Sequence, residues 1–348
     1  MGTAETGRRI TRRTLLLGGS GAAGGVLLSP RHGSVLPGGG KSAGAAGEFD
    51  VSTASELMAP TPLRHVTGPQ SVSYGRSPDD TYALQLMPAS VRLPDETRAL
   101  GGRARRLSGD MCVTVLSPSG GSTGHMYLRG FGHGISFGVE PSDGNVLLWV
   151  ESDADPRTGY GRAIARVPFR DGTVLDSSSP GLRHHRPVPG ALRMHPTLDL
   201  ANRRVLVSHW IGRRHAYAVY RMEDFLAQRY EPLYDFADSA LKKGETFQGC
   251  ALRNGYVYQL TGNPYSGEAG GNPPSAGGNT FVSTLDVNSG RTVARRRVTA
   301  APELDFREPE GIAVRPGTTP RLCIAFSVKT PDRRRITVYS CGSEGVGA

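Results

Sequence analysis

The sequence predicts an all-β chain, a five-bladed β-propeller with about four antiparallel strands per blade and a last blade completed by an N-terminal strand. Three observations carry this. First, a polar residue, a small residue and a short apolar strand recur in that order five times. The copies are Gln70-Ser71-Val72-Ser73-Tyr74, His133-Gly134-Ile135-Ser136-Phe137, His195-Pro196-Thr197-Leu198-Asp199, Gln248-Gly249-Cys250-Ala251-Leu252 and Glu310-Gly311-Ile312-Ala313-Val314. Second, the leading residues are 63, 62, 53 and 62 positions apart, a near-constant period in which no unit can bury its apolar face without its neighbours. Third, each period contains several strand-like runs bounded by turn formers, and no long amphipathic helix competes with them.

The chain begins with a segment read as a transport signal. Thr11-Arg12-Arg13-Thr14-Leu15-Leu16-Leu17 and the Gly/Ala-rich apolar run to Leu28 match a twin-arginine export signal, too short to span as a stop-transfer helix. Residues 1–45 are therefore expected to be signal and linker, with small residues at Ala43-Gly44-Ala45 for cleavage, and residues 46–348 a single propeller domain. The expected product is a secreted or cell-wall-associated monomer, exported folded and without a membrane span. The formal charge of +10 falls to +5 when the cations Arg8, Arg9, Arg12, Arg13, Arg31 and Lys41 and the anion Glu5 leave with the signal. That mild excess lacks the concentrated basic face of a nucleic-acid binder. The hydrophobic content of 37% is ample for a core.

Period one predicts strands near Ser71–Gly75, Thr81–Leu86, Asp110–Leu116 and His125–Arg129, with turns at Ser77-Pro78-Asp79-Asp80 and Ser117-Pro118-Ser119-Gly120. Its insertion, Pro88–Gly109, carries Arg92, Arg98, Arg103, Arg105 and Arg106, and reads as a solvated loop or a basic arm over a binding face. Period two predicts Ile135–Glu140, Val146–Glu151, Arg162–Phe169 and a weak strand at Thr173–Asp176; His184-His185 before a Pro-rich linker reads as solvated loop. Period three predicts Thr197–Leu200, Val205–Trp210, Ala216–Met222 and Pro232–Phe236, with a helical turn at Met222–Leu226. Period four predicts Cys250–Arg253, Tyr256–Leu260, Thr280–Val287 and Thr292–Val298, interrupted by the Gly/Pro/Asn-rich loop Gly262–Gly278. Period five has only Ile312–Val314, Leu322–Val328 and Ile336–Cys341, so residues 51–66 are expected to complete it and remove the open edges.

Four cysteines belong to the predicted domain. A hairpin centred on Asp332 would place Cys323 opposite Cys341 and predicts a disulfide there; Cys112 and Cys250 in apolar runs read as buried thiols.

First-strand starts converge around a propeller's axis, so Gln70, His133, His195, Gln248 and Glu310 should form a polar ring at the channel mouth. Imidazole nitrogen with amide and carboxylate oxygen suits one divalent ion, Mn²⁺, Zn²⁺ or Ca²⁺, with His133, His195, Gln248 and Glu310 as ligands. Equally, these groups could satisfy one another and ordered water. A second tier at the ends of the second strands comprises Gln85, Glu151, His209, Gln259 and Lys329, and His209-Trp210 suits a sugar face. Neither HExxH nor Walker A nor a strand-following GxGxxG occurs.

Gly109–Leu116, Gly124–Gly134 and Leu148-Trp149-Val150-Glu151 resemble exported actinobacterial proteins labelled teichoic acid biosynthesis protein C. These are similar to the propellers of phage tail proteins that recognise wall teichoic acid, and the resemblance extends over about Gln70 to Cys341. It implies recognition of an anionic cell-wall or extracellular polysaccharide; the convergence of the first-strand starts puts that site at the channel mouth, with Gln70, Arg129, Glu151, Trp210 and Gln259 as the contact residues. The twin-arginine signal departs from the phage proteins and argues against tail attachment. The alternative is a metal-assisted polysaccharide lyase or glycoside hydrolase, for which His133, His195, His209, Glu310 and Lys329 are the catalytic candidates.

Overall fold

In the computed structural model, which describes residues 49–51, 53–75, 80–268 and 271–343, the strands form five sheets around one axis. The expected export signal and its cleavage region lie outside the described residues, as does most of the Ser77-Pro78-Asp79-Asp80 turn. Strand β1 (Ala54–Pro62) comes first. Blade one contains β2 (Pro69–Tyr74), β3 (Thr81–Leu86), β4 (Met111–Leu116) and β5 (Ser122–Arg129), with helix α1 (Gly102–Ser108) between β3 and β4. Blade two contains β6 (Gly138–Ser142), β7 (Asn145–Ala154) and β8 (Gly161–Pro168), followed by β9 (Val174–Asp176). Blade three is β10 (Leu192–Asp199), β11 (Arg204–Ile211), β12 (Arg214–Arg221), the short helix α2 (Met222–Leu226) and β13 (Tyr234–Ala237). Blade four is β14 (Phe247–Arg253), β15 (Tyr256–Thr261), β16 (Phe281–Asp286) and β17 (Arg291–Arg297). Blade five is β18 (Glu308–Arg315), β19 (Arg321–Lys329) and β20 (Arg334–Ser343).

The expected closure is present. β1 pairs antiparallel with β20, Ala54 opposite Cys341 and Thr61 opposite Ile336, so the N-terminal strand becomes the outer strand of blade five. Thr337 Oγ1 donates to Met58 O at 2.6 Å across this seam. Local chemistry sets the tight turns: Asp143-Gly144 and Asn254-Gly255 both have positive φ at two successive residues, the conformation a two-residue hairpin needs.

Apolar strand faces pack between blades rather than within them. One cluster lies at each of the five blade boundaries, for instance Leu84, Met111, Phe131 and Leu148 between blades one and two, or Leu206, Tyr217, Phe247 and Cys250 between three and four. At the axis the inner strands nearly touch. A Cβ on Gly311 would lie 2.7 Å from Ser71 Cα, and one on Gly249 would lie 2.9 Å from Ile135 O. Both glycines also have positive φ, +122° and +125°. The small residue of the repeated pattern is thus an axis-packing residue. Cys250 N donates to Ser136 Oγ at 3.0 Å, and the Ser71 hydroxyl donates to Gly134 O, linking neighbouring inner strands.

Several expectations are corrected. The four cysteines are free. Cys323 pairs with Ser340, not Cys341, because the β19–β20 hairpin turns one residue away from the expected centre, with Lys329 opposite Arg334. A one-residue shift turns a side chain to the other sheet face, so Cys323 packs between blades five and one while Cys341 packs between four and five. The weak strand at Thr173–Asp176 forms as β9 but joins blade one, parallel to β5. His185 instead bridges Ile164 on blade two, is buried, and has Nδ1 2.9 Å from the Tyr230 hydroxyl, while His184 contacts Ser152 Oγ and Ser177 O, each at 2.9 Å. This histidine pair is structural, not solvated loop. The Arg-rich insertion is likewise anchored. Arg105 is fully buried, ion-paired with Glu96 and with Asp110 at 2.9 Å, and donates to Val91 O at 2.8 Å.

Gly311→Ala is expected to destabilise the ring by about 2 kcal/mol or more, through overpacking against backbone and a strained φ; denaturant midpoints measure it. Acid should weaken the fold as well. Burial pulls His65 and His185 from 6.5 to about 4, so each stays neutral in the fold while the unfolded chain takes up a proton. Stability is therefore full above pH 6.5 and falls as pH drops towards 4. His185→Phe should flatten part of this slope in thermal melts recorded across that window.

Candidate functional site

The long insertions and the starts of the inner strands share one end of the ring, and at the boundary of blades two and three that end contains a cationic, aromatic platform. Its centre is Arg193, whose φ of +56° puts a non-glycine residue in the left-handed region at a bulge of the β10–β11 ladder, between the pairs Leu192–Trp210 and His195–Ser208. The bulge sends Arg193 over two rings. Its Cζ lies 4.2 Å from the Tyr160 centroid and 5.5 Å from that of Trp210, cation–π distances in both cases. Among the described residues no carboxylate pairs with Arg193. Tyr160 comes from the β7–β8 loop, Arg193 from the start of β10 and Trp210 from the end of β11, so one loop and two paired strand ends build the platform.

Beneath it lies a buried polar layer. Tyr160 stacks on His133 with centroids 4.0 Å apart and meets His195 edge-on at 6.3 Å. His195 also packs against Trp210 at 5.7 Å and Phe247 at 6.0 Å. Its Nε2 is 3.5 Å from Glu151 Oε1. Burial drives the pKa of His195 well below its ordinary value, assisted by His215, Arg193 and His133, and pulls His133 down to about 4. Glu151 is fully buried. Desolvation pushes its pKa up to about 7 against three backbone donors, Gly161 N to Oε1 at 3.0 Å, and His133 N at 2.8 Å and Gly134 N at 2.7 Å to Oε2, and against the positive charge of Arg193, which acts without an ion-pair contact. A Cβ on Gly132 or on Gly161 would stand 2.6 Å from Glu151 Cβ, so these glycines let the backbone close around the acid. Glu151 pins blade two to its connector and is walled off from any ligand.

Of the residues expected at the mouth, His133, His195 and Trp210 therefore meet, with Glu151 behind them. The others go elsewhere. Gln70 donates to Pro69 O at 3.0 Å, and Gln248 donates to Gly262 O at 3.0 Å. Glu310 faces Glu308, and burial followed by that neighbouring carboxyl holds its pKa well above the usual range. Tyr217 donates to Gln259 at 2.9 Å in the interior. Arg129 is taken up by Asp95 at 2.6 Å and Asp176 at 2.5 Å. Gln85 accepts from His65 N at 3.0 Å and fixes the strand connector. His209, on the opposite face of β11 from Trp210, lines a separate cleft with Asp235 and Ala237, and Lys329 is exposed at the end of β19.

The donor set does not fit the expected ion. Among the described residues no three His, Cys, Asp or Glu side chains are grouped to hold a metal. His133 and His195 both pack against Tyr160, while Gln248 and Glu310 are turned to other partners. Arg193 and Tyr160 were not singled out from the sequence. A bulge two residues before His195 and a ring on a loop leave no periodic trace.

The fold has counterparts among known proteins. The protein labelled major teichoic acid biosynthesis protein C of Bacillus subtilis (strain 168) is 26% identical over 212 residues, 58% of this chain and 45% of that protein. The tail fiber of Staphylococcus aureus phage P68 superposes with a TM-score of 0.62 at 18% identity, covering 84% of this chain and 53% of that chain, a likeness of fold. This chain thus spans about half the length of each. Residues 103–339 match the family described as the phage 5-bladed beta propeller receptor binding platform domain. With five blades in the structure and more than half of its length matched, the chain belongs to that family.

Proposed function

We propose that this propeller recognises an anionic cell-wall polysaccharide of the teichoic-acid type, and that the Arg193–Tyr160–Trp210 platform makes the contact. The observation that carries this reading is the state of Arg193. A guanidinium without a carboxylate partner among the described residues, held in a strained backbone conformation over two rings, is prepared for a ligand anion. Tyr160 and Trp210, both half-buried, offer sugar faces a flat surface. Arg106, Arg213 and Arg214 are exposed at the same end of blades one to three and add positive potential along a polymer's path. Family membership supports a receptor-binding role, and the name of the Bacillus subtilis relative supports the class of polymer. Export by the twin-arginine route belongs to the same reading, since the polymer is extracellular. The lyase or hydrolase alternative needs the ring residues to converge on one reacting centre; Gln248, Glu310 and Lys329 have other surroundings, so recognition without turnover is the better supported reading.

Arg193→Ala should weaken binding of a poly(glycerol phosphate) teichoic acid by about tenfold or more, the cost of a lost charge-assisted contact. Lys329→Ala should leave it unchanged. Calorimetric or surface-plasmon titration at two salt concentrations measures both, and the Arg193-dependent share should shrink as salt rises. Equal affinity of wild type and Arg193→Ala would overturn the assignment.

A further inference from the structure

Behind the platform runs a hydrogen-bonded line of three side chains. His215 Nδ1 is 2.7 Å from Asp238 Oδ2, and His215 Nε2 is 2.8 Å from Ser208 Oγ. Asp238 Oδ1 is held in turn by the N–H groups of Ala240 at 2.7 Å and Leu241 at 3.2 Å. An ionised carboxylate only accepts, so Nδ1 carries the imidazole proton and Nε2 accepts from the Ser208 hydroxyl. Hydroxyl, imidazole and carboxylate stand in the order of a nucleophilic triad. Ser208, however, is fully buried in the middle of β11, where no substrate reaches its oxygen.

The flat face of His215 has a different use. His215 and Trp210 are directly opposite on β12 and β11, with ring centroids 3.8 Å apart and planes only 10° from parallel. Phe247 meets the imidazole edge-on at 4.8 Å and Trp210 at 5.2 Å, closing the rest of the space. An imidazole tied at both nitrogens cannot turn about its ring axis, and an indole stacked on it inherits that plane. The charged and titratable groups around His215 include Asp238 from the loop after β13, Arg193 and His195 from β10, His209 from β11, and Tyr217 from β12, whose ring is 4.7 Å from the imidazole.

We propose that Asp238, His215 and Ser208 form a positioning chain that fixes the plane of Trp210 and through it the seat of the Arg193 guanidinium. The inference rests on the reading of that platform as the glycan site. It makes a loop carboxylate after β13, which belongs to no ring or platform, a determinant of affinity on β10.

Asp238→Ala is the discriminating change, because it leaves His215 Nδ1 without its partner and frees the imidazole to turn. Asp238→Asn is the conservative control: its amide oxygen can keep Ala240 N and Leu241 N while its NH₂ faces Nδ1, the imidazole proton moves to Nε2, and both ties to the ring are kept with the tautomer reversed. The chain has two tryptophans, and Trp149 is fully buried with its N–H on Glu140 at 2.7 Å, so it is a constant background and differences in emission report Trp210. The expected result for Asp238→Ala is a shifted Trp210 emission at pH 7, together with an affinity for poly(glycerol phosphate) teichoic acid weakened about tenfold, as for a lost cation–π contact, while Asp238→Asn stays close to wild type in affinity. Ser208→Ala, which keeps the Asp238–His215 pair, should give a smaller change in the same direction and serves as the second reading where Asp238→Ala folds poorly by circular dichroism. Emission unchanged in both Asp238→Ala and Ser208→Ala overturns the chain, and an Asp238→Asn affinity as weak as that of Asp238→Ala overturns positioning through the ring's hydrogen bonds. Emission shifted with affinity intact, while Arg193→Ala loses binding, overturns its link to the platform. Loss of neither affinity in Arg193→Ala nor in Trp210→Ala condemns the platform reading instead, and the emission result still stands on its own.

Discussion

The close approach of five inner strands at the axis is the constraint on which the rest of this structure depends. Gly249 and Gly311 face backbone of neighbouring blades at distances that exclude a Cβ, and Ser71, Ser136 and Gly134 exchange hydrogen bonds between blades there. Each blade thereby has its inner edge fixed, and the twist of its sheet directs the outer strands so that each apolar face meets the next blade. The five inter-blade clusters follow from this arrangement, and so does the need for β1: without a fourth strand on blade five, the β20 edge would be open.

Beside the platform, two buried ionisable groups hold segments outside the sheets. Arg105 gathers Glu96, Asp110 and Val91 O under the insertion of blade one, while Gly109 closes α1 in the left-handed conformation, where a Cβ would stand 2.8 Å from Gly132 N and 2.9 Å from Gly159 O. Glu151 collects three N–H groups from the connector into blade two and from the β7–β8 turn. Both devices lie next to the platform, and together they fix the loop that carries Tyr160. An acid with its pKa raised to about 7 is a costly pin, and its position under the platform means that rigidity there is bought with stability.

The platform itself is a property of a blade boundary. Blade two supplies Tyr160, blade three supplies Arg193 and Trp210, and blade four supplies Phe247 beneath them. Its geometry depends on the bulge of blade three, which sets Arg193 beside Trp210, and on the contact with blade two, which brings Tyr160 against them. Under the proposed glycan reading, a rigid surface of this kind would lose little entropy on binding a flexible polymer.

The sequence by itself determined the blade count, the strand order and the closure, because these depend on period and on alternation, which are properties of one chain segment at a time. It also marked His133, His195 and Trp210, whose places follow from the start of the inner strand and the end of the second. Tertiary structure alone decided the rest. A one-residue difference in a hairpin separated Cys323 from Cys341, a bulge turned Arg193 onto Tyr160, and the choice of neighbour sent β9 to blade one and His185 into the core. The polar ring failed as a ligand set for the same reason. Equivalent strand positions converge on one end of the axis, but where each side chain turns is settled by its nearest partner, Glu308 for Glu310 and Gly262 for Gln248, and such partners come from segments that no periodicity relates.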